Sequence, residues 1–204
     1  KRREQAMRDL VGALVSVVDR RDPYSANHSV RVSEVSRAVA EEMGLDEIAV
    51  DTTVIAGSLM NLGKITVPEE TLTKEGALSD EELDLIKHSV LISADMVDGI
   101  QFDGPVQNTI RQLQENYNGG GFPQGLEGDD ILVTARVAAV ANAFVGMVSA
   151  RAWRDGMPFD KAIDILLSEG NKKFDRSVVV ALANHLDNRG GRDTWAKYGE
   201  KPEG

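Results

Sequence analysis

The sequence has no cysteine. Disulfide frameworks, thiolate zinc sites and a cysteine nucleophile are therefore excluded. Histidine is scarce as well: three in 204 residues, His28, His88 and His185. No two of them stand at i+3 or i+4, and no H-E-x-x-H, H-x-H or adjacent His-Asp pair occurs. A hydrolytic metal cluster built from several imidazoles would have to draw on these three. Positive charge is outweighed, with 23 Lys and Arg against 33 Asp and Glu and a formal net charge of -10. Binding along a phosphate backbone needs a broad basic surface, so nucleic acid is excluded as a general partner. A local basic pocket for a small anion stays open. Aromatic residues make up only 5%. No apolar run approaches the roughly 20 residues of a membrane-spanning helix. No secretory signal pattern is present, which gives a cytoplasmic expectation. The chain opens Lys1-Arg2-Arg3-Glu4 without an initiator Met, and reads as a fragment of a longer protein.

What is present is helical periodicity. Met7, Leu10, Val11, Leu14, Val15 and Val18 repeat at helical spacing over 2–19. Further helices are expected at about 27–43, 46–62, 79–97, 104–116, 130–153, 159–168 and 174–187, from the same signal and its breakers. Ser79 with Glu82 three residues on forms a capping box. No segment alternates with period two for long. The fold class is all-α. The tail from Asn188 is polar and glycine-rich and reads as loosely held.

Individual motifs carry less. Gly57 to Ile65 reads G-S-L-M-N-L-G-K-I, with five residues between the glycines and Ile65 where a hydroxyl should bind magnesium. It fails as a phosphate loop, and Gly63 marks a helix end instead. The triplet Gly119-Gly120-Gly121, followed by Phe122-Pro123, suits either a close approach to a ligand or a tight connection between core helices. No G-x-S-x-G nucleophile elbow occurs.

In their order the motifs resemble one family, the HD-GYP phosphohydrolases that cleave cyclic di-GMP, over about 10–187. Arg21-Asp22-Pro23-Tyr24-Ser25-Ala26-Asn27-His28-Ser29-Val30-Arg31-Val32 is similar to the family's opening R-D-P-Y-T-x-x-H-S-x-R-V. Leu62-Gly63-Lys64-Ile65 with Val67-Pro68 resembles I-G-K-I-x-I-P. Asn118-Gly119-Gly120-Gly121-Phe122-Pro123-Gln124-Gly125-Leu126 resembles D-G-x-G-Y-P-x-G-L, with Phe122 for Tyr. Ala135-Arg136-Val137, Val140-Ala141-Asn142-Ala143-Phe144 and Phe174-Asp175 follow the A-R-I, V-A-D-A-F and F-D patterns.

The resemblance implies an HD-domain-like helical bundle with extra C-terminal helices. Residues 1–19 would be a connector from a longer protein, 20–187 the domain and 188–204 a polar tail. It also implies seven metal-ligand positions, which fall on His28, Met60, Asn61, Ser89, Leu113, Gln114 and Asn142. Of these only His28 keeps a ligand. His88 stands one place before Ser89, and one residue along a helix turns a side chain by about 100°. Glu115 remains beside the lost His-His pair, and the second acid of the A-D-A-F-D pattern is Val145. Met60 is a soft thioether and Leu113 has no lone pair, while Asn61 and Asn142 lack the charge that offsets a cation.

The expectation is a degenerate, catalytically inactive signalling or interaction module with no metal and no cofactor. Lys64, Arg151, Arg154, the Gly119–Gly121 loop, Phe122 and Pro123 are the candidate phosphate or ligand contacts. Partners implied are an upstream sensor or receiver domain, a GGDEF-type cyclase, or a second copy through helix 2–19. Two alternatives stand beside it: a phosphodiesterase with a rebuilt site, and a sensor that binds cyclic di-GMP without cleaving it.

Overall fold

The computed structural model describes residues 2–22, 25–151 and 153–201. Pro23 and Tyr24 of the opening motif, Ala152 between the two arginines, and residues 202–204 of the tail lie outside it. So does the Met7 side chain. Among the described residues the structure is helical and has no strand, only isolated bridges such as Asn118 with Glu127. No helix among them is long and apolar enough to cross a membrane.

The order is α1 (Arg2–Asp19), α2 (His28–Glu42), α3 (Glu47–Leu59), α4 (Glu69–Leu72), α5 (Asp80–Met96), α6 (Val106–Arg111), α7 (Val133–Val148), α8 (Phe159–Ser168), α9 (Arg176–Asn188) and α10 (Gly191–Thr194). Short 3-10 turns occupy Leu62–Thr66, Gly128–Asp130 and Ala196–Gly199. Helix starts follow local chemistry. Asp46 accepts from the Ala49 N–H at 2.8 Å, and Ser79 and Glu82 form the reciprocal capping box. Asp175 caps α9 through the Ser177 N–H at 2.9 Å. The core is built around α7, buried along Ala135, Val137, Ala138, Val140, Ala141, Phe144, Val145 and Val148. Helix α2 lies against α3 and α7, and α8 and α9 close the other side. This is the all-α bundle the periodicity implies.

Three elements are shorter than their periodicity suggests, for identifiable reasons. The 46–62 helix ends at Leu59, and the chain turns tightly so that Gly63 presses against α5. A Cβ on Gly63 would lie 1.8 Å from the Ser89 carbonyl oxygen. Ser93 Oγ accepts from the Gly63 N–H and donates to the Met60 carbonyl, both at 2.7 Å. The 104–116 helix stops at Arg111, where three-residue bonds from Leu113 and Glu115 tighten the chain into a turn. The 130–153 helix covers only Val133–Val148. Beyond it Arg154 Nη2 and the Met157 N–H donate to the Gly146 and Met147 carbonyls, so side chain and returning backbone replace further helical turns.

The tail differs most from expectation. Trp195 and Tyr198 are 3% and 6% exposed. Trp195 stacks on His185 and approaches Phe144, and the Tyr198 ring lies under the Arg31 guanidinium. Two aromatic anchors hold a segment whose average composition is polar.

Candidate functional site

The site sits where the end of α1, the start of α2, the 60–67 turn and α7 converge. His28 is the first residue of α2 and 9% exposed. Its Nε2 is 2.9 Å from Asn142 Oδ1 on α7. An amide oxygen only accepts, so Nε2 carries the proton and Nδ1 is a bare acceptor. That Nδ1 is buried with no partner among the described residues. Burial first, then the positive charge of Lys64, pushes the His28 pKa down to about 3. The imidazole is therefore neutral at physiological pH.

The other positions that the resemblance assigns to ligands make structural contacts. Met60 is buried in the core with its carbonyl held by Ser93. Ser89 donates to the Ile86 carbonyl on its own helix. Leu113 joins the core. Gln114 Nε2 donates to the Lys87 carbonyl at 2.8 Å. Glu115 accepts from the Gln124 and Leu126 N–H groups at 2.7 and 3.0 Å, so this acid anchors the glycine loop. His88 is exposed, bonded to the Asp84 carbonyl, with its ring against Phe122. Among the described residues no three His, Asp or Glu side chains converge as a metal would require. The donors present do not fit a dinuclear centre.

Beside Asn61 lies a cavity of about 240 Å³. Its charged and polar lining includes Asp19, Asp22, Ser25, Lys64, Lys74 and Arg151, and its apolar lining Leu72, Leu78, Ile86 and Trp153. Arg151 Nη1 donates to Ser25 Oγ at 3.0 Å, and Ser25 Oγ donates to Asp22 Oδ2 at 3.1 Å. Asp19 is buried and accepts from Ser29 Oγ at 3.0 Å. Burial raises its pKa to about 6, against the lowering effect of the Ser29 bonds and Lys64. Burial lowers the Lys64 pKa, with Arg151 adding to this and Asp19 and Asp22 opposing it.

The candidate contacts thus divide. Lys64 and Arg151 share the cavity. Arg154 faces away and caps α7. The glycine loop lies elsewhere, bonded through Tyr117 and Asn118 to the Lys173 and Lys172 carbonyls. Gly121 in it has no room for a side chain, since a Cβ would stand 2.2 Å from the Asn116 nitrogen. Phe122 is covered by the Lys87 ammonium, and neither it nor Pro123 lines the cavity.

Periodicity and motif spacing did not single out Asp19, Ser93 or Trp153. Asp19 carried one weak signal, an acid ending an apolar helix. Arg21, inside the quoted motif, pins the turn: its guanidinium donates to the Lys64 and Val67 carbonyls at 2.5 and 2.8 Å. Arg136 and Asp175, from two separate motifs, pair at 2.7 Å beside α9.

Comparison with known proteins follows the same lines. The HD domain family model matches residues 13–178. The chain is 32% identical over 181 residues to the cyclic di-GMP phosphodiesterase response regulator RpfG of Xanthomonas campestris, covering 88% of this chain and 48% of that protein. It is 30% identical over 166 residues to a cyclic di-GMP phosphodiesterase of Thermotoga maritima, covering 79% and 45%. The chain spans about half the length of the curated relatives it matches. Among solved structures, an HD-G-"Y"-P protein of Bdellovibrio bacteriovorus superposes with a TM-score of 0.65 at 27% identity, over 79% of this chain and 52% of that one.

Proposed function

Since the chain belongs to the HD-domain family, we propose that it serves there as a catalytically inactive, HD-GYP-like signalling module. One observation carries this reading. The retained imidazole, His28, is engaged by the residue at another ligand position, Asn142, through a neutral hydrogen bond. Metal-dependent phosphodiester cleavage needs ions that turn water into a nucleophile and offset phosphate charge. The Met60, Ser89, Leu113 and Gln114 side chains point to packing and backbone bonds instead. Its relatives' names describe cyclic di-GMP phosphodiesterases, so that nucleotide and the related cyclic GMP-AMP are the substrates to test. With manganese or iron added, neither should be turned over. Hydrolysis that is lost in His28→Ala would support a rebuilt site instead.

A second reading is favoured by the cavity: binding of cyclic di-GMP without cleavage, through Lys64 and Arg151. Calorimetry decides it. Heat with the wild type that disappears in Lys64→Ala supports a sensor, and no heat with the wild type rules it out. We further propose that its partners are a sensor or receiver domain upstream, or a GGDEF-type cyclase, and that it acts in the cytoplasm.

A further inference from the structure

Three cations line the cavity: Lys74 is paired with Glu82, while Lys64 and Arg151 share the cavity with Asp19 and Asp22. Arg151, Ser25 and Asp22 form a continuous bonded series. Asp19 lines the same cavity, with its carboxylate held by Ser29. Both acids favour the ammonium form of Lys64, and Asp22 favours the charged form of Arg151. Asp19 and Asp22 come from one stretch, the last residue of α1 and the turn into α2. Arg21 in that stretch is bonded to the Lys64 and Val67 carbonyls, so its position and that of the site are mechanically joined.

Among the described side chains earlier in α1, Val11 packs partly against the core. Val15 and Val18 are buried near the end of the helix, while Leu10, Leu14 and Val17 are at least half exposed. Val18 and Asp19 at that end also wall the cavity, so the helix and the cavity share a segment.

We propose that this segment is an autoinhibitory contact: Asp19 and Asp22 occupy the charge environment of Lys64 and Arg151, and α1 must shift before the cavity accepts an external anion. This rests on the reading of the cavity as a binding site that has outlived catalysis. Two consequences follow from linkage. A force on α1 sets the anion affinity, and an anion in the cavity loosens the end of α1.

Sulfate is a suitable probe, being a dianion throughout the neutral range. Titrations are run on the whole chain in EDTA, so that any metal-dependent turnover, which bears on the inactive reading, does not enter. Asp22→Asn and Asp19→Asn are compared with the wild type, with thermal unfolding to establish that each is folded. A neighbouring opposite charge is worth about one to three pKa units, so each variant should bind sulfate about tenfold tighter or more. Saturating sulfate should speed amide exchange over residues 15–22 of the wild type. Equal or weaker binding in both variants overturns the proposal, as does slower exchange over 15–22. Absence of sulfate binding in all three proteins overturns it too.

Discussion

At His28 one ring nitrogen is tied to an amide and the other is buried without a partner among the described residues. A first-position ligand would need a lone pair directed at an ion among further donors. Here its neighbour offers an acceptor oxygen, which fixes the proton on Nε2. The pH consequence has a definite sign. The ordinary histidine value is 6.5 and the folded value is about 3. The unfolded chain therefore takes up a proton in that interval that the folded chain refuses. The neutral imidazole contributes stability above pH 6.5, and this is lost progressively as pH falls toward 3. Histidine NMR should show the His28 resonances unchanged between pH 8 and 5, with the proton on Nε2. A midpoint near 6.5 would contradict the burial and the tautomer. Motif order alone suggests His28 and the other assigned positions as ligands. What the side chains around them do is not readable there, because a carboxylate that binds metal and one that accepts two backbone N–H groups look alike in sequence. Glu115 is such a case.

At the level of elements, helices were readable wherever amphipathic periodicity coincided with a local cap, as at Ser79 and Asp175. Their ends were misjudged where tertiary contacts terminate them. Gly63 ends up against α5, and Gly156 lies so close to Val148 that a Cβ would stand 2.1 Å from its carbonyl oxygen. A pattern of apolar residues carries no record of such approaches. The glycine loop shows the same physics in a form open to test. Gly121→Ala drives a methyl into the Glu115–Asn116 backbone and should cost about 2 kcal/mol or more of unfolding free energy. The matching substitution at Gly146, where no described neighbour lies within 4 Å, should be close to neutral or mildly stabilising. Urea unfolding of the two variants distinguishes them; equal losses would mean the loop yields to the added methyl.

On the scale of the whole molecule, the bundle extends past the region that the family pattern covers. Trp195 and Tyr198 close the core over α2, α7 and α9, with Tyr198 donating to Glu34 at 2.5 Å. Composition hid this, since two buried aromatics among polar neighbours hardly move an average. Removing residues 190–204 should lower unfolding free energy by at least about 3 kcal/mol, in line with the loss of a buried tryptophan. Unchanged stability would show that the strap only rests on the surface. The large negative charge of -10 remains a general argument against nucleic acid at this scale. It also gives local charge its weight, because Lys64 and Arg151 share their cavity with Asp19 and Asp22.

We propose that the domain keeps the family's architecture without its metal centre. Metal content per chain tests it most directly. The protein would be produced with iron, manganese and zinc supplied, desalted without chelator, and analysed by elemental mass spectrometry. The account predicts far less than one equivalent of any of these metals, unchanged in His28→Ala. Two equivalents per chain in the wild type, lost in that variant, would contradict it.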